Sequence, residues 1–112
     1  MQSNEEDIVD FFTKKIRTIP VKNFNLQLAK NNNLTPSLLL YYSLSNDFLV
    51  SFRSAWLLEH IVLKKPSIIP TIYDQFIDTL EDQKNWSAIR SLTKIAMLPV
   101  VESIRFYIVK HK

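Results

Sequence analysis

The chain has 112 residues, of which 46% are apolar and 22% charged, so its length and composition fit one globular domain, residues 1–112. It contains no glycine and no cysteine, which argues against glycine-rich nucleotide-binding loops, disulfides, thiol catalysis and thiolate metal sites. The formal net charge of +3 permits an anionic partner but does not require one.

The first predicted element is a helix that caps the domain over residues 1–18. Ser3 is a favourable N-cap, and Glu6 three residues later completes a capping box. Apolar residues with helical spacing follow, beginning with Ile8 and Phe12. Acidic residues at the start of this segment and basic residues near its end match the helix macrodipole.

Residues 20–45 predict the first antiparallel helix pair. Pro20 ends the preceding helix or begins the next one, and the polar run at 31–33 forms the turn inside the pair. Thr35 followed by Pro36 is a favourable start for the second helix, because proline in the first turn removes an N–H that has no partner there.

Residues 47–82 predict the second pair, around which the rest of the chain is organised. The polar run Ser45-Asn46-Asp47 closes the first pair and can cap a helix over 48–65. That helix is apolar on almost all sides, so we expect other helices to cover more than one side of it. The following helix, over 67–82, has one apolar face and one acidic face.

Residues 85–112 predict the third pair. A short polar turn leads into a helix over 86–98, and Pro99 breaks that helix and starts the last one. Helix follows helix with short turns, and no segment shows the convincing alternation of a β-strand. The predicted fold class is therefore all-α.

A weak internal repeat relates the first two pairs. Sliding the second pair back along the chain aligns Phe24 with Leu58, and it also aligns Pro36 with Pro70. The offset lies within the roughly 33 to 47 residues of known helical-repeat units. This favours a short right-handed α-α solenoid of about three antiparallel helix pairs over a compact bundle.

Two segments carry a resemblance to a known family. The run FRSAWLLEH at 52–60, the proline-bounded amphipathic helix after it and the run SAIR at 87–90 resemble short bacterial HEAT-like helical-repeat proteins. The resemblance covers residues 20–100. It implies an α-α superhelix of the HEAT or armadillo kind that binds another molecule, usually a protein.

Basic residues on two of the predicted helices form a candidate partner-binding ladder. They are Arg53, His60, Lys64, Arg90 and Lys94. In one interpretation the ladder receives acidic side chains or phosphates of a partner. In the alternative, each arginine ties its helix to the preceding turn. Arg53 would then bind Asp47, and Arg90 would bind Asp82.

Glu59 projects from an apolar face of the central helix, where a carboxylate is costly unless it has a partner. We predict a buried structural residue that is bound to Arg90, to Tyr73 or to a helix start; a general acid or base is the alternative. His60 is adjacent and points away from it. The only other histidine is His111, so neither a catalytic pair nor a metal site is predicted.

The large aromatic side chains are interpreted mainly as core. We expect Trp56 and Trp86 at the junctions between repeats. Four others, Tyr41, Tyr42, Phe106 and Tyr107, are less easily placed, because aromatic residues near lysines also stack on single-stranded nucleic acid.

The last helix predicts a contact surface. Its apolar residues spread over much of its circumference, and helical solenoids need polar ends to stay soluble. We expect this helix either to self-associate, forming a homodimer, or to dock a partner, unless it folds back to complete the core. The candidate residues are Val101, Ile104, Phe106 and Ile108.

The favoured function is a non-enzymatic module that presents the ladder to another protein, with no cofactor. The alternative is nucleic-acid or phosphate binding by the ladder, with an affinity that falls steeply as salt rises. The first ten residues are too acidic and polar for a secretory signal, and the longest apolar runs are shorter than the roughly 20 residues of a membrane span. We therefore expect a cytoplasmic protein with no membrane partner.

Overall fold

The computed structural model describes residues 5–110, which contain seven α-helices and no β-strand. The all-α prediction is confirmed. Ser3, the predicted N-cap, lies outside the described residues. The helices are α1 (Glu5–Thr13), α2 (Leu26–Asn31), α3 (Pro36–Ser43), α4 (Phe48–Lys64), α5 (Ile69–Asp82), α6 (Trp86–Ala96) and α7 (Pro99–Lys110). Short 3-10 turns occur at Lys15–Thr18, Val21–Asn23 and Pro66–Ile68.

Polar side chains start four of these helices by accepting hydrogen bonds from free backbone N–H groups. Thr35 Oγ1 accepts from the N–H of Leu38 at 3.1 Å, at the start of α3. Asp47 Oδ1 accepts from the N–H of Leu49 at 2.9 Å, at the start of α4. These two predicted caps are confirmed. Asn25 and Asn85 cap α2 and α6 in the same way.

α4 is the centre of the fold and contacts α1, α3 and α6. The prediction that more than one side of this helix is covered is confirmed. Leu57, Leu58 and Ile61 of α4 are buried in one continuous apolar core that the other helices share. Complete burial of such a side chain contributes about 1.5–3 kcal/mol.

Helices that are two apart in the sequence lie side by side: α3 against α5, α5 against α7, and α4 against α6. Hydrogen bonds show that α3 and α5 run in the same direction. Near the start of α3, Gln75 Nε2 donates to the carbonyl oxygen of Ser37 at 2.9 Å. At the end of α3, Gln83 Nε2 donates to the carbonyl oxygen of Ser43 at 2.8 Å.

α4 and α6 are also parallel. At their starts, Asn85 Nδ2 donates to the carbonyl oxygen of Phe48 at 3.2 Å. Further along, Lys94 Nζ lies 3.8 Å from Glu59 Oε2. Both helices therefore begin at the same end of the molecule.

The N-terminal third departs from the predicted repeat. Phe24 was aligned with Leu58, which is in the middle of α4, but Phe24 lies in extended backbone before α2. α2 has only six residues, whereas α4 has 17. The chain leaves α2 through Asn33, whose φ of 60° is in the left-handed region that ends helices. α2 is therefore not a counterpart of α4.

Three helix boundaries differ from the prediction by two residues or more. α1 ends at Thr13 instead of reaching about residue 18. α5 begins at Ile69, after a 3-10 turn, instead of at residue 67, and α6 ends at Ala96 instead of at residue 98. At the end of α1, Arg53 Nη1 donates to the carbonyl oxygens of Phe12 and Thr13, at 2.9 and 3.4 Å, so a side chain binds two acceptors that a longer helix would also use.

Candidate functional site

The predicted basic ladder is partly used inside the molecule. The Arg53 guanidinium fastens the end of α1 to α4, through its bonds to Phe12 and Thr13. The alternative interpretation placed Arg53 on Asp47. That pairing is wrong, because the Asp47 carboxylate accepts the first N–H groups of α4 instead.

Lys64 and His60 hold the next part of the N-terminal segment. Lys64 Nζ donates to the carbonyl oxygens of Lys22 and Phe24, at 2.7 and 2.6 Å. The Phe24 ring is fully buried and meets the rings of Trp56 and His60 edge-on, with centroids 4.8 and 5.8 Å apart. Residues 12–24 thus partly cover the side of α4 that carries Arg53, His60 and Lys64, where Arg53 and His60 are half-buried and Lys64 stays exposed.

The two remaining ladder residues are on α6. Lys94 pairs with Glu59, which is buried to 5% exposure, so the partner of Glu59 is Lys94 rather than Arg90 or Tyr73. The lysine is more than half exposed, so water screens this pair and its contribution to stability is small. Arg90 is exposed, and among residues 5–110 no ion pair joins it to Asp82.

In the part of the chain that the structure describes, no group of three or more histidine, aspartate or glutamate side chains could hold a metal ion. His111 lies outside that part. No described helix combines the length and the apolar character that crossing a membrane requires.

The prediction that Trp86 is a core residue is wrong, because its side chain is 81% exposed. It is the first residue of α6, and Phe48, the first residue of α4, is 59% exposed. Side chains tilt toward the N-terminus of their helix, so a first residue projects beyond the helix end instead of packing on a preceding turn. Because α4 and α6 are parallel neighbours, both aromatic rings project from the same end of the molecule.

A groove of about 620 Å³ lies at this end, between the turn that enters α4 and the turn that enters α6. Leu44, Phe48 and Trp86 supply its large apolar side chains. A smaller groove of about 280 Å³ shares residues 44–46 and continues to α1 and α3. We call the exposed apolar residues of the two grooves the loop surface: Val9, Tyr41, Leu44, Phe48 and Trp86.

Hydrogen bonds fix the backbone beneath the loop surface. Ser43 closes α3, and its carbonyl oxygen accepts from Ser51 Oγ at 2.6 Å and from Gln83 Nε2 at 2.8 Å. Gln83 Oε1 accepts from the N–H of Asn85 at 3.1 Å, and the Asn85 amide reaches the carbonyl oxygen of Phe48. The ends of α3 and α5 and the starts of α4 and α6 are thereby connected, so the two aromatic residues are held on an ordered backbone.

Charged residues border the loop surface. Glu5 lines the smaller groove, and Asp82 and Lys84 line the larger one. All three are exposed, and the described residues provide no ion-pair partner for Glu5 or Asp82. Two carboxylates against one ammonium leave an excess of one negative charge around an apolar centre.

Tyr42 lines the smaller groove, and its pKa is raised above the usual value of 10.0, first by burial and then by the Glu5 carboxylate and by Tyr41. The folded protein therefore keeps this phenolic proton at a pH where the unfolded chain has lost it. We expect the free energy of unfolding to fall as the pH rises through 10, up to the pKa of the folded state.

Denaturant unfolding at several alkaline pH values measures this fall. In Tyr42→Phe the part of the fall due to this phenol should be absent, and the phenolate absorbance titration should lack a component above pH 10. If the free energy of unfolding falls equally with pH in the two proteins, the surroundings of Tyr42 do not raise its pKa.

The four residues of the predicted contact surface do not all lie on the exposed side of α7. Val101 is buried and Ile104 packs against the core, whereas Phe106 is 69% exposed and Ile108 lies partly open beside α5. Val109 is exposed on the same side as Phe106. The outward side of α7 is thus centred on Phe106.

Comparison with protein-family models, with curated proteins and with solved structures finds no match to this chain.

Proposed function

We propose that this protein is a non-enzymatic binding module whose loop surface takes up an apolar segment of a protein partner. The observation that carries the proposal is the pair of exposed aromatic residues, Phe48 and Trp86, at the starts of two parallel helices. Exposed tryptophan, tyrosine and phenylalanine are the residue types that most often anchor protein interfaces.

The ordered backbone of the loop surface supports this role. Binding costs less free energy when the surface is already in its bound conformation. The bonds among Ser43, Gln83 and Asn85 hold the turns on both sides of the larger groove before any partner arrives. The partner's side chains then enter a groove that does not need to be formed.

The charges indicate what the partner carries. Glu5 and Asp82 border the apolar grooves, so the complementary segment has large apolar side chains with lysine or arginine beside them. The basic ladder is a weaker candidate for this contact, because Arg53 and Lys64 donate to backbone carbonyls of the same chain. The same bonds weaken the case for nucleic-acid binding by the ladder.

We also propose that α3 to α7 form a short HEAT-like α-α solenoid. Parallel neighbours two helices apart, such as α3 with α5 and α4 with α6, are the arrangement that stacked helix hairpins produce. Pro36 and Pro70 occupy the first turns of α3 and α5, which agrees with a repeat between these two helices. Residues 5–31 then cover one side of the stack.

Selection from a phage-displayed library of short random peptides tests the proposed function. We expect the folded protein to select peptides with apolar anchors and adjacent basic residues, and we expect their binding to persist at high salt, because apolar contacts are screened little. The double variant Phe48→Ser, Trp86→Ser serves as the matched control for the selection. Peptides that bind this variant equally well would contradict the proposal.

A further inference from the structure

The outward side of α7 carries two opposite charges at equal distances from one aromatic residue. Glu102, Phe106 and Lys110 recur every four residues and therefore follow one side of the helix. All three are exposed, and Val101, which is buried, lies on the opposite side. An acidic residue thus precedes Phe106, and a basic residue follows it at the same distance.

This pattern fits a second copy of itself. When two α7 helices are antiparallel, with Phe106 on the two-fold axis, Glu102 of each copy faces Lys110 of the other. Each charge lies about 6 Å along the helix from the central phenylalanine, at a rise of 1.5 Å per residue. A two-fold contact joins the same patch of both subunits, so the patch must complement itself. A parallel pairing would instead bring like charges together.

We propose that two copies of the protein associate through antiparallel α7 helices, with Phe106 against Phe106 and two Glu102–Lys110 ion pairs. The Lys110 ammonium already lies over the Phe106 ring, 6.0 Å from its centroid, within the same stripe. Val109 adds apolar surface beside the central phenylalanine.

The size of the contact determines its strength. One helix side offers less than the roughly 800 Å² per partner of a standard stable interface, so the dimer is weak and reversible. The contact uses no residue of the loop surface. Self-association and partner binding are therefore separate properties, and each is tested independently of the other.

Sedimentation equilibrium over a range of protein concentrations tests the proposal. We expect the average mass of the wild-type protein to rise from 13.2 kDa toward twice that value as concentration increases. Phe106→Ser should abolish the rise. Phe48→Ser with Trp86→Ser, which changes only the loop surface, should leave it unchanged.

Two charge-reversal variants test the antiparallel geometry. Glu102→Lys makes the stripe wholly basic and Lys110→Glu makes it wholly acidic, so each variant alone should associate at least fivefold more weakly than the wild type. An equal mixture of the two should recover the association, because opposite stripes then face each other. Since the mixture contains the same two proteins, its recovery shows that neither variant has lost its fold. Lys84→Glu is the control charge reversal outside α7.

Three results would overturn the proposal. One is a wild-type mass of 13.2 kDa at every concentration. Another is association of the single variants that equals that of the wild type, which would place the contact elsewhere. The third is a mixture of the two variants that remains monomeric.

Discussion

Phe24→Ala is expected to lower the free energy of unfolding by about 3–5 kcal/mol, the cost typical of removing a fully buried aromatic ring. Phe24 has no exposed surface, and it makes edge-on contacts with Trp56 and His60. Its carbonyl oxygen also accepts from Lys64, so the ring and the backbone together hold the N-terminal segment on α4. Urea unfolding followed by circular dichroism measures the loss.

The neighbouring Val21 supplies the control for this substitution. Val21 is exposed, so Val21→Ala should change the free energy of unfolding by no more than about 0.5 kcal/mol. If Phe24→Ala lowers the free energy of unfolding by less than about 1 kcal/mol, the prediction is wrong, because removal of a fully buried ring destabilises a protein by more than this. It would mean that residues 12–24 do not cover this side of α4.

The largest functional effect is expected at the loop surface. Phe48→Ser and Trp86→Ser should each weaken binding of a selected peptide by at least about 2 kcal/mol, or roughly thirtyfold, as central aromatic anchors do. Trp86→Ser should leave the free energy of unfolding within about 0.5 kcal/mol of the wild type, because the side chain buries little surface in the free protein. Isothermal titration calorimetry and urea unfolding measure the two quantities.

Two controls separate this surface from others on the molecule. Leu63 is exposed near the opposite end of α4, so Leu63→Ser removes an apolar side chain without touching the grooves and should leave the affinity unchanged. Arg90→Glu reverses the exposed arginine of the ladder and should also have no effect. Binding that is lost in Arg90→Glu and retained in Trp86→Ser would assign the partner to the ladder.

Local signals in the sequence predicted the helices well. Thr35 and Asp47 cap helices where expected, and α7 begins at Pro99 as predicted. These features depend on neighbouring residues along the chain, so the sequence carries them directly. The central position of α4 also followed from its composition, since a helix that is apolar on almost all sides must be covered by others.

The basic ladder could not be assigned from spacing alone. Helical periodicity shows that Arg53 and Lys64 are on a similar side of α4, but it does not show what covers that side. The segment that partly covers it, residues 12–24, consists mainly of the end of α1 and two short 3-10 turns, which are too short to show an apolar periodicity in the sequence. Likewise, Glu59 meets Lys94 and not Arg90 because the relative shift of α4 and α6 along their axes decides which turn of one faces which turn of the other.

The exposure of Phe48 and Trp86 was not predicted, because large aromatic residues are also common in protein cores. A signal was nevertheless present in the sequence. Asp47 precedes Phe48 and Asn85 precedes Trp86, so each aromatic residue directly follows an N-cap. The first residue of a helix projects beyond its end, and two such sites on parallel helices place two rings together. The parallel direction, however, is known only from the packing of α4 on α6.

Amide chemical-shift mapping by NMR, with a selected peptide added to the full chain, tests the central claim most directly. We expect the largest shifts at residues 44–48 and 82–86, and small shifts over the rest of α6. Largest shifts around Arg90 and Lys94 would contradict it and would identify the exposed side of α6 as the binding surface.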